Sequence, residues 1–138
     1  MTPFRRVAAC AAIVLGAALP TAGHAAAAVT VPFQIDPAPF GNPNGSFDVP
    51  PIRCAAVVGD RAVTITGGKQ DGWGCLLSSP VQWLNLSTGA RGTATLSDGL
   101  NGIPPAVTLD TGAGQVVVMV NSVTGGPVTP GFATFHVP

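Results

Sequence analysis

The chain has 138 residues, enough for one domain, and only 9% of them are charged, with a formal net charge of zero. Charges this sparse and balanced provide no basic surface for nucleic acid or for an anionic membrane. The 18 glycines and 14 prolines favour many turns between short strands over surface helices.

The first 25 residues have the organisation of a secretory signal peptide. Arg5 and Arg6 precede an apolar run over residues 7–19, and small residues ending in alanines follow. This run is too short to span a bilayer, and no other stretch is long and apolar enough to do so. We therefore predict cleavage after Ala25 or a neighbouring alanine and a single mature domain over residues 26–138. That domain is expected to be secreted without a transmembrane anchor, with cell-wall association as a further option.

Two cysteines, Cys54 and Cys75, remain in the predicted mature chain. In an exported protein an even number of cysteines indicates a disulfide. Closing a loop of this length should add about 3 kcal/mol to the free energy of unfolding.

The first strand is predicted at residues 29–35, where Pro32 indicates a position at the edge of a sheet. Residues 36–51 contain five prolines and are expected to form a long extended loop, held to the core by Phe40 and Phe47. Such a loop is either a crossing between the two sheets of a sandwich or a functional segment.

A hairpin is predicted next, with strands over residues 52–58 and 61–66. Gly59 and Asp60 form its two-residue turn, because glycine suits the first position of a type II′ turn. Alternate residues of each strand are apolar and are expected to share one face.

The central hairpin is predicted over residues 80–97, where two strand-forming runs flank a Ser-Thr-Gly turn. A two-residue loop pairs Trp83 with Ala94 and places the indole in the core, whereas a three-residue loop pairs Trp83 with Thr93 and turns the indole outward. The three-residue loop is favoured, because Gly89 then supplies the left-handed residue that such turns require. This loop also buries three leucines, Leu84, Leu86 and Leu96.

Three further strands are predicted at residues 106–110, 115–121 and 131–137. The second contains a continuous apolar run over residues 116–120, which indicates burial on both faces and a central position. Seven or eight short strands without a helical period predict an all-β fold, an antiparallel, immunoglobulin-like β-sandwich, with a small β-barrel as the alternative. The cysteine pattern differs from a true immunoglobulin domain, because Trp83 follows Cys75 instead of preceding it.

Catalysis by paired acids and bases needs titratable side chains that the predicted mature chain lacks. It contains no glutamate or tyrosine and a single histidine, His136, which argues against zinc as well. Asp60, Asp71, Asp98 and Asp110 lie at glycine-rich turns, where aspartate normally bonds its own backbone, and a calcium-loop spacing is absent. We therefore predict no enzymatic activity, no cofactor and no metal.

Binding is the functional class that this composition favours. Trp73 lies in a glycine-rich loop, and Trp83 faces solvent in the favoured register, close to Asn85 and Thr93. Exposed tryptophan beside amide and hydroxyl groups is typical of surfaces that bind a sugar ring or a partner protein. The competing interpretation is that both indoles pack in the core, since large aromatic side chains dominate small cores.

Two stretches, Trp-x-Asn-x-Ser-Thr-Gly at residues 83–89 and Thr-Gly-Ala-Gly-Gln-Val-Val-Val at residues 111–118, accompany an alanine-rich leader and one pair of mature cysteines. In these features the chain resembles the small, uncharacterised exported single-domain β proteins of mycobacterium-like actinobacteria. The resemblance implies an exported β domain and identifies no site residue.

The sequence thus predicts a secreted, non-enzymatic β-sandwich that acts as a binding or cell-envelope-associated module for an unidentified protein or glycan ligand. A structural or antigenic surface protein without a small ligand is the alternative. A hydrolase is disfavoured, because acid–base pairs are absent.

Overall fold

The computed structural model describes residues 27–45, 50–68, 74–100, 103–123 and 127–138. Within these ranges the chain forms eight β-strands and one short 3-10 helix. The strands are β1 Val29–Pro32, β2 Cys54–Val58, β3 Val63–Gly67, β4 Pro80–Asn85, β5 Arg91–Thr95, β6 Val107–Leu109, β7 Gly114–Val120 and β8 Gly131–Val137, and the helix is Pro39–Gly41. The predicted signal peptide lies outside the described residues.

The strands form two open antiparallel sheets of four. Sheet A has the order β1-β2-β3-β6, and sheet B has the order β5-β4-β7-β8. Their inner faces share one core, to which sheet A contributes Val63 and Ile65 and sheet B contributes Val116, Val118 and Val120, all fully buried. The predicted all-β sandwich is therefore confirmed.

The predicted disulfide is also confirmed. It joins Cys54, the first residue of β2, to Cys75 in the segment that precedes β4, and both half-cystines are buried. The N–H of Cys54 donates to Asp36 Oδ1 at 3.0 Å, and the other carboxylate oxygen of Asp36 lies 3.3 Å from the Arg53 guanidinium. The disulfide therefore joins a strand of sheet A to the entry of sheet B, and the Cys54 N–H and Arg53 hold the loop that contains Asp36.

Pro32 lies at the edge of sheet A, as predicted, because β1 pairs only with β2. The next residue, Phe33, donates its N–H to the Cys54 carbonyl at 3.1 Å. The backbone N–H and C=O groups of the odd-numbered residues in this segment therefore point towards β2. The nitrogen of Pro32 consequently faces away from the sheet, where its missing N–H costs no ladder hydrogen bond.

The proline-rich loop begins as a crossing between the two sheets. Ile35 and Ala38 form isolated antiparallel bridges with Phe132 and Thr129 at the outer edge of β8. Of the two interpretations of this loop, the crossing is therefore the one that the structure adopts for its described first part.

The predicted anchoring of this loop by Phe40 is wrong, because Phe40 is 65% exposed. Pro37 and Ala38 are buried in its place. Pro37 packs against Gly131, where an added Cβ would lie 2.8 Å from the proline ring. Phe47, the second predicted anchor, lies outside the described residues.

The first hairpin turns one residue later than predicted. Gly59 donates its N–H to the Ala62 carbonyl at 2.9 Å, so Asp60 and Arg61 form the turn, and Arg61 takes a left-handed φ of 64°. β2 and β3 therefore pair two residues out of the predicted register. A shift by two leaves every side chain on its predicted face.

The central hairpin adopts neither predicted register. Trp83 lies opposite Gly92 in the β4–β5 pair. The N–H of Asn85 donates to the Ala90 carbonyl at 2.8 Å, which leaves the four residues 86–89 as the loop. The structure thus has a longer turn than either alternative.

This register is one residue from the favoured three-residue loop, and a shift by one exchanges the two faces of a strand. Leu84 and Leu86 are therefore 39% and 57% exposed instead of buried, and Trp83 turns inward instead of outward. Leu96 is buried as predicted, and Gly89 has the predicted left-handed φ, 75°.

β7 lies between β4 and β8, which confirms its central position. Burial on both faces is not observed. Its inner residues are buried, whereas Gln115, Val117 and Met119 on the outer face are half-exposed. The apolar run therefore supplies both the core and an apolar outer surface.

Candidate functional site

Trp83 lies on the inner face of sheet B, near the β5 edge. It is half-buried, packs against the core and pairs with the fully buried Val118 of β7. A Cβ added to Gly92, its partner on β5, would lie 2.8 Å from the indole Nε1. Only glycine leaves room for the ring at this position, so Trp83 and Gly92 together close the edge of the core.

Asn85, the last residue of β4, is fully buried and holds two turns together. Its Nδ2 donates to the carbonyls of Thr111 and Ala113, both at 2.9 Å, in the turn between β6 and β7. Its Oδ1 accepts from the N–H groups of Ser87, at 2.9 Å, and Thr88, at 3.2 Å, in the hairpin loop. The amide is therefore occupied on both sides by the chain's own backbone.

The same junction explains the glycine that begins β7. Gly114 has a φ of 127°, and an added Cβ would lie 2.7 Å from Ser87 Oγ and 2.8 Å from Asn85 Oδ1. Ser87 Oγ accepts a hydrogen bond from the Gln115 N–H at 3.0 Å. This close packing ties the end of the β4–β5 hairpin to the start of β7.

The predicted ligand-binding residues Trp83, Asn85 and Thr93 do not share one face of sheet B in the observed register. Trp83 and Asn85 belong to the inner face, and Asn85 is withdrawn from solvent because the longer loop needs its amide. Thr93 is exposed on the outer face of sheet B, opposite Gln82. Trp73 lies outside the described residues. Of the predicted group, the structure therefore places Thr93 on an open surface.

An apolar surface that sequence reasoning missed runs across the outer face of sheet B. Leu84 pairs with Val117, and Met119 pairs with Phe132, so neighbouring strands bring these side chains side by side. Leu84 is 39% exposed, and Val117, Met119 and Phe132 are half-exposed. Ile35, which is bridged to Phe132, and Leu86 are exposed and extend the surface at its ends. We define the outer-face band as the six residues Ile35, Leu84, Leu86, Val117, Met119 and Phe132.

Four residues of the band form the floor of a shallow depression of about 530 Å³, namely Leu84, Val117, Met119 and Phe132. Gln82, Thr93 and Arg91 lie on the β4–β5 side of the depression. Trp83 and Gly92 also line it, although their side-chain positions belong to the inner face. A predominantly apolar floor with a few polar groups at the side is the composition expected of a binding surface.

The outer face of sheet B carries little charge. Arg91, opposite Leu84, is its charged side chain among the described strand residues. On the β8 side, Gln115 Nε2 donates to Thr134 Oγ1 at 2.7 Å, so these two polar groups satisfy each other. Apolar contact is therefore the main interaction that this face can offer.

The described part of the chain contains no group of three or more His, Cys, Asp or Glu side chains placed to hold a metal ion. His136 is exposed on β8, where its cross-strand neighbour is Gln115. Asp98 accepts a hydrogen bond from the Leu100 N–H at 3.4 Å, the local backbone bonding expected of aspartate in turns.

Within the described ranges, no helix has the length and apolar character needed to cross a membrane. Comparison of the chain with protein-family models, with curated proteins and with solved structures gives no match.

The sequence contains a signal for the outer-face band. Gln82, Leu84 and Leu86 alternate with Val81, Trp83 and Asn85, so both faces of β4 carry large apolar residues. A strand with this pattern is either buried on both faces or exposes one apolar face. Together with the valine run of β7, it predicts an apolar outer surface once the register is known.

Proposed function

We propose that this chain is an exported, non-enzymatic binding domain and that the outer-face band is the surface through which it contacts a partner protein. The observation that carries the proposal is the continuous apolar surface on the outer face of sheet B, with Leu84, Met119 and Phe132 at its centre. An exposed apolar patch with polar residues at its rim often marks a site of interaction.

The export part of the proposal is supported by the leader-like N-terminus and by the Cys54–Cys75 disulfide, because such bridges form and persist in oxidising compartments. Contacts made by the outer-face band would also hold the domain at the cell envelope.

The chemistry of the band favours a protein partner over a glycan. Sugar rings are bound by exposed aromatic faces flanked by several hydrogen-bonding groups. On this face Phe132 is the one Phe, Tyr or Trp side chain among the described residues, because Trp83, although it lines the depression, packs against the core. Aliphatic and thioether side chains such as Leu84 and Met119 suit apolar protein surfaces.

Site-specific photocrosslinking in the cells that export the protein tests this proposal. A benzophenone side chain at position 84 should give one discrete adduct, and the same group at position 108, on the outer face of sheet A, should not. The partner identified in the adduct should then bind the purified oxidised protein. Leu84→Glu should weaken that binding about tenfold or more, because it places a charge in an apolar contact, whereas Thr108→Glu should leave it unchanged.

Equal labelling from positions 84 and 108, or purified binding that is indifferent to Leu84→Glu, would contradict the proposal. No adduct from position 84 would favour the alternative function, a structural or antigenic surface protein. Binding of a glycan to the wild type but not to Leu84→Glu would support the outer-face band as the binding surface and would show that its ligand is a glycan instead of a protein.

A further inference from the structure

A second surface lies at the opposite edge of sheet B from the β4–β5 hairpin, where the outer edge of β8 is only half paired. Phe132 exchanges two hydrogen bonds with Ile35, at 2.7 Å and 3.1 Å, so the even-numbered residues of β8 direct their N–H and C=O groups away from β7. Thr134 is the next residue of this set, and its N–H donates to the side-chain oxygen of Gln34 at 2.7 Å. Here a side chain takes the place of a neighbouring strand.

Beyond Thr134 this pairing stops. No group in the described part of the chain bonds the C=O of Thr134 or the N–H and C=O of His136 along this edge. The chain itself turns away at Pro32 to join β2 in sheet A. An exposed row of backbone donors and acceptors is a template for another extended segment.

Because β1 leaves the edge of β8 to join sheet A, a groove of about 340 Å³ lies between the β1 edge of sheet A and the β8 edge of sheet B. Its lining includes Val29, Val31 and Val58 from sheet A and Phe135 from β8. Val31 and Phe135 also contact the core, so the groove is a lateral entrance to the space between the two sheets.

We propose that this edge and groove bind an extended segment of a partner polypeptide as an added antiparallel strand beside residues 134–136. The unpaired backbone of β8 supplies the hydrogen bonds, and alternate side chains of the segment enter the groove. The residue opposite His136 exchanges hydrogen bonds with it and points its side chain outward, because directly paired residues share a face. The neighbouring residues of the segment then point inward onto Val31 and Phe135.

A free extended segment fits this site better than a second copy of the chain. If β8 of another molecule paired here, its inward side chains Phe135 and Val137 would remain in their own core, where both are buried. They could not also fill the groove. The predicted occupant is therefore a segment that alternates small apolar residues with polar ones and has no fold of its own at that point.

The probe is the acetylated and amidated peptide Thr-Val-Thr-Val-Thr, added to the ¹⁵N-labelled oxidised protein. Binding should slow hydrogen exchange of the His136 amide and shift the signals of Thr134, His136 and Val31. Methylation of the threonine nitrogens of the peptide should weaken binding about tenfold or more, because these N–H groups face β8. Methylation of the valine nitrogens should not.

Protein variants provide a matched comparison. His136→Pro removes the edge N–H without removing a hydrogen bond to β7 and should weaken binding to the same extent, whereas His136→Ala keeps the N–H and should bind like the wild type. If His136→Pro fails to fold, the pair of methylated peptides on the wild-type protein decides the question.

Absence of binding at about 1 mM peptide, the weakest affinity of interest here, would overturn the inference. So would equal effects of the two methylated peptides, or signal changes confined to the outer-face band. A His136 amide already protected before addition would mean that the chain's own residues or a second copy occupy the edge. None of these results bears on crosslinking from position 84, so the proposed function stands or falls separately.

Discussion

Replacement of Asn85 by alanine should be among the most destabilising single changes in this domain, although the residue lies at the end of a strand beside an exposed turn. Asn85 has no solvent-exposed surface, and its amide joins the 86–89 loop to the turn that precedes β7. Alanine would remove the bonds to both turns and would leave their backbone groups in place.

The size of the effect follows from the burial of each bond. The Thr111 carbonyl is buried with the Asn85 amide, and leaving it unpaired costs about 1–3 kcal/mol. The bonds to Ala113, Ser87 and Thr88 are only partly buried, so water can replace them in part, and each contributes about 0.5–1 kcal/mol. The free energy of unfolding should therefore fall by about 2.5–6 kcal/mol, a large fraction of the roughly 5–15 kcal/mol of a typical domain.

The assay is equilibrium unfolding of the oxidised protein in urea, followed by far-ultraviolet circular dichroism. The midpoint should fall with an unchanged slope if the native state is otherwise intact. Gln82→Ala, three residues away on the exposed face of the same strand, is the control and should change stability by less than about 0.5 kcal/mol. A loss of less than about 1 kcal/mol for Asn85→Ala would refute the reasoning, because a buried carbonyl would then have lost its donor without cost.

Three further predictions use the same assay. Breaking the disulfide by the paired change Cys54→Ala and Cys75→Ala should lower the free energy of unfolding by about 3 kcal/mol, and a loss below about 1 kcal/mol would show that the bridge constrains little. Gly92→Val should displace the indole of Trp83, cost about 1–3 kcal/mol and shift the indole N–H signal in ¹H–¹⁵N spectra, whereas an unmoved signal would place the ring elsewhere. Asp36→Ala should cost about 1–2 kcal/mol, because it removes a hydrogen bond and an ion pair. High salt should reduce this cost by screening the ion pair, and a cost that does not change with salt would assign the whole effect to the hydrogen bond.

The two hairpins show which parts of the fold could be predicted from the sequence. The sequence places the first turn one residue too early and makes the second loop too short, because Gly59 and Gly89 mark turns without fixing which backbone groups bond across them. In the first hairpin the error is two residues, so the apolar face was predicted correctly. In the second the error from the favoured register is one residue, so every side chain of β4 was assigned to the opposite face.

The candidate site depended on that second register. The disfavoured two-residue loop had the right face for Trp83, since it differs from the observed pairing by two residues. The decisive feature is the side chain of Asn85, which bonds the backbone N–H groups of Ser87 and Thr88 and so lengthens the turn. Asparagine that bonds to nearby backbone is a known turn signal. The bonds of Asn85 to Thr111 and Ala113, however, join residues 26 and 28 positions apart, so no pattern in the sequence around Asn85 predicts them.

Elements that depend on composition and period alone were predicted well. The disulfide, the edge position of Pro32 and the central position of β7 all follow from local chemistry or from apolar content. The sequence does not predict the outer-face band, because the apolar run of β7 indicates burial on both faces. Sequence shows that such a run is apolar, whereas whether another layer covers it depends on the whole fold.

The exposure of the outer-face band in the full oxidised protein is the central claim, and methyl NMR with a soluble gadolinium chelate measures it directly. The relaxation rates of the Leu84 and Met119 methyl groups should rise strongly in proportion to the chelate concentration. The rates of the Val118 methyl groups, on the inner face of the same sheet, should be nearly unaffected. Equal protection of Leu84, Met119 and Val118 would mean that this face is covered, and the proposed binding surface would not exist.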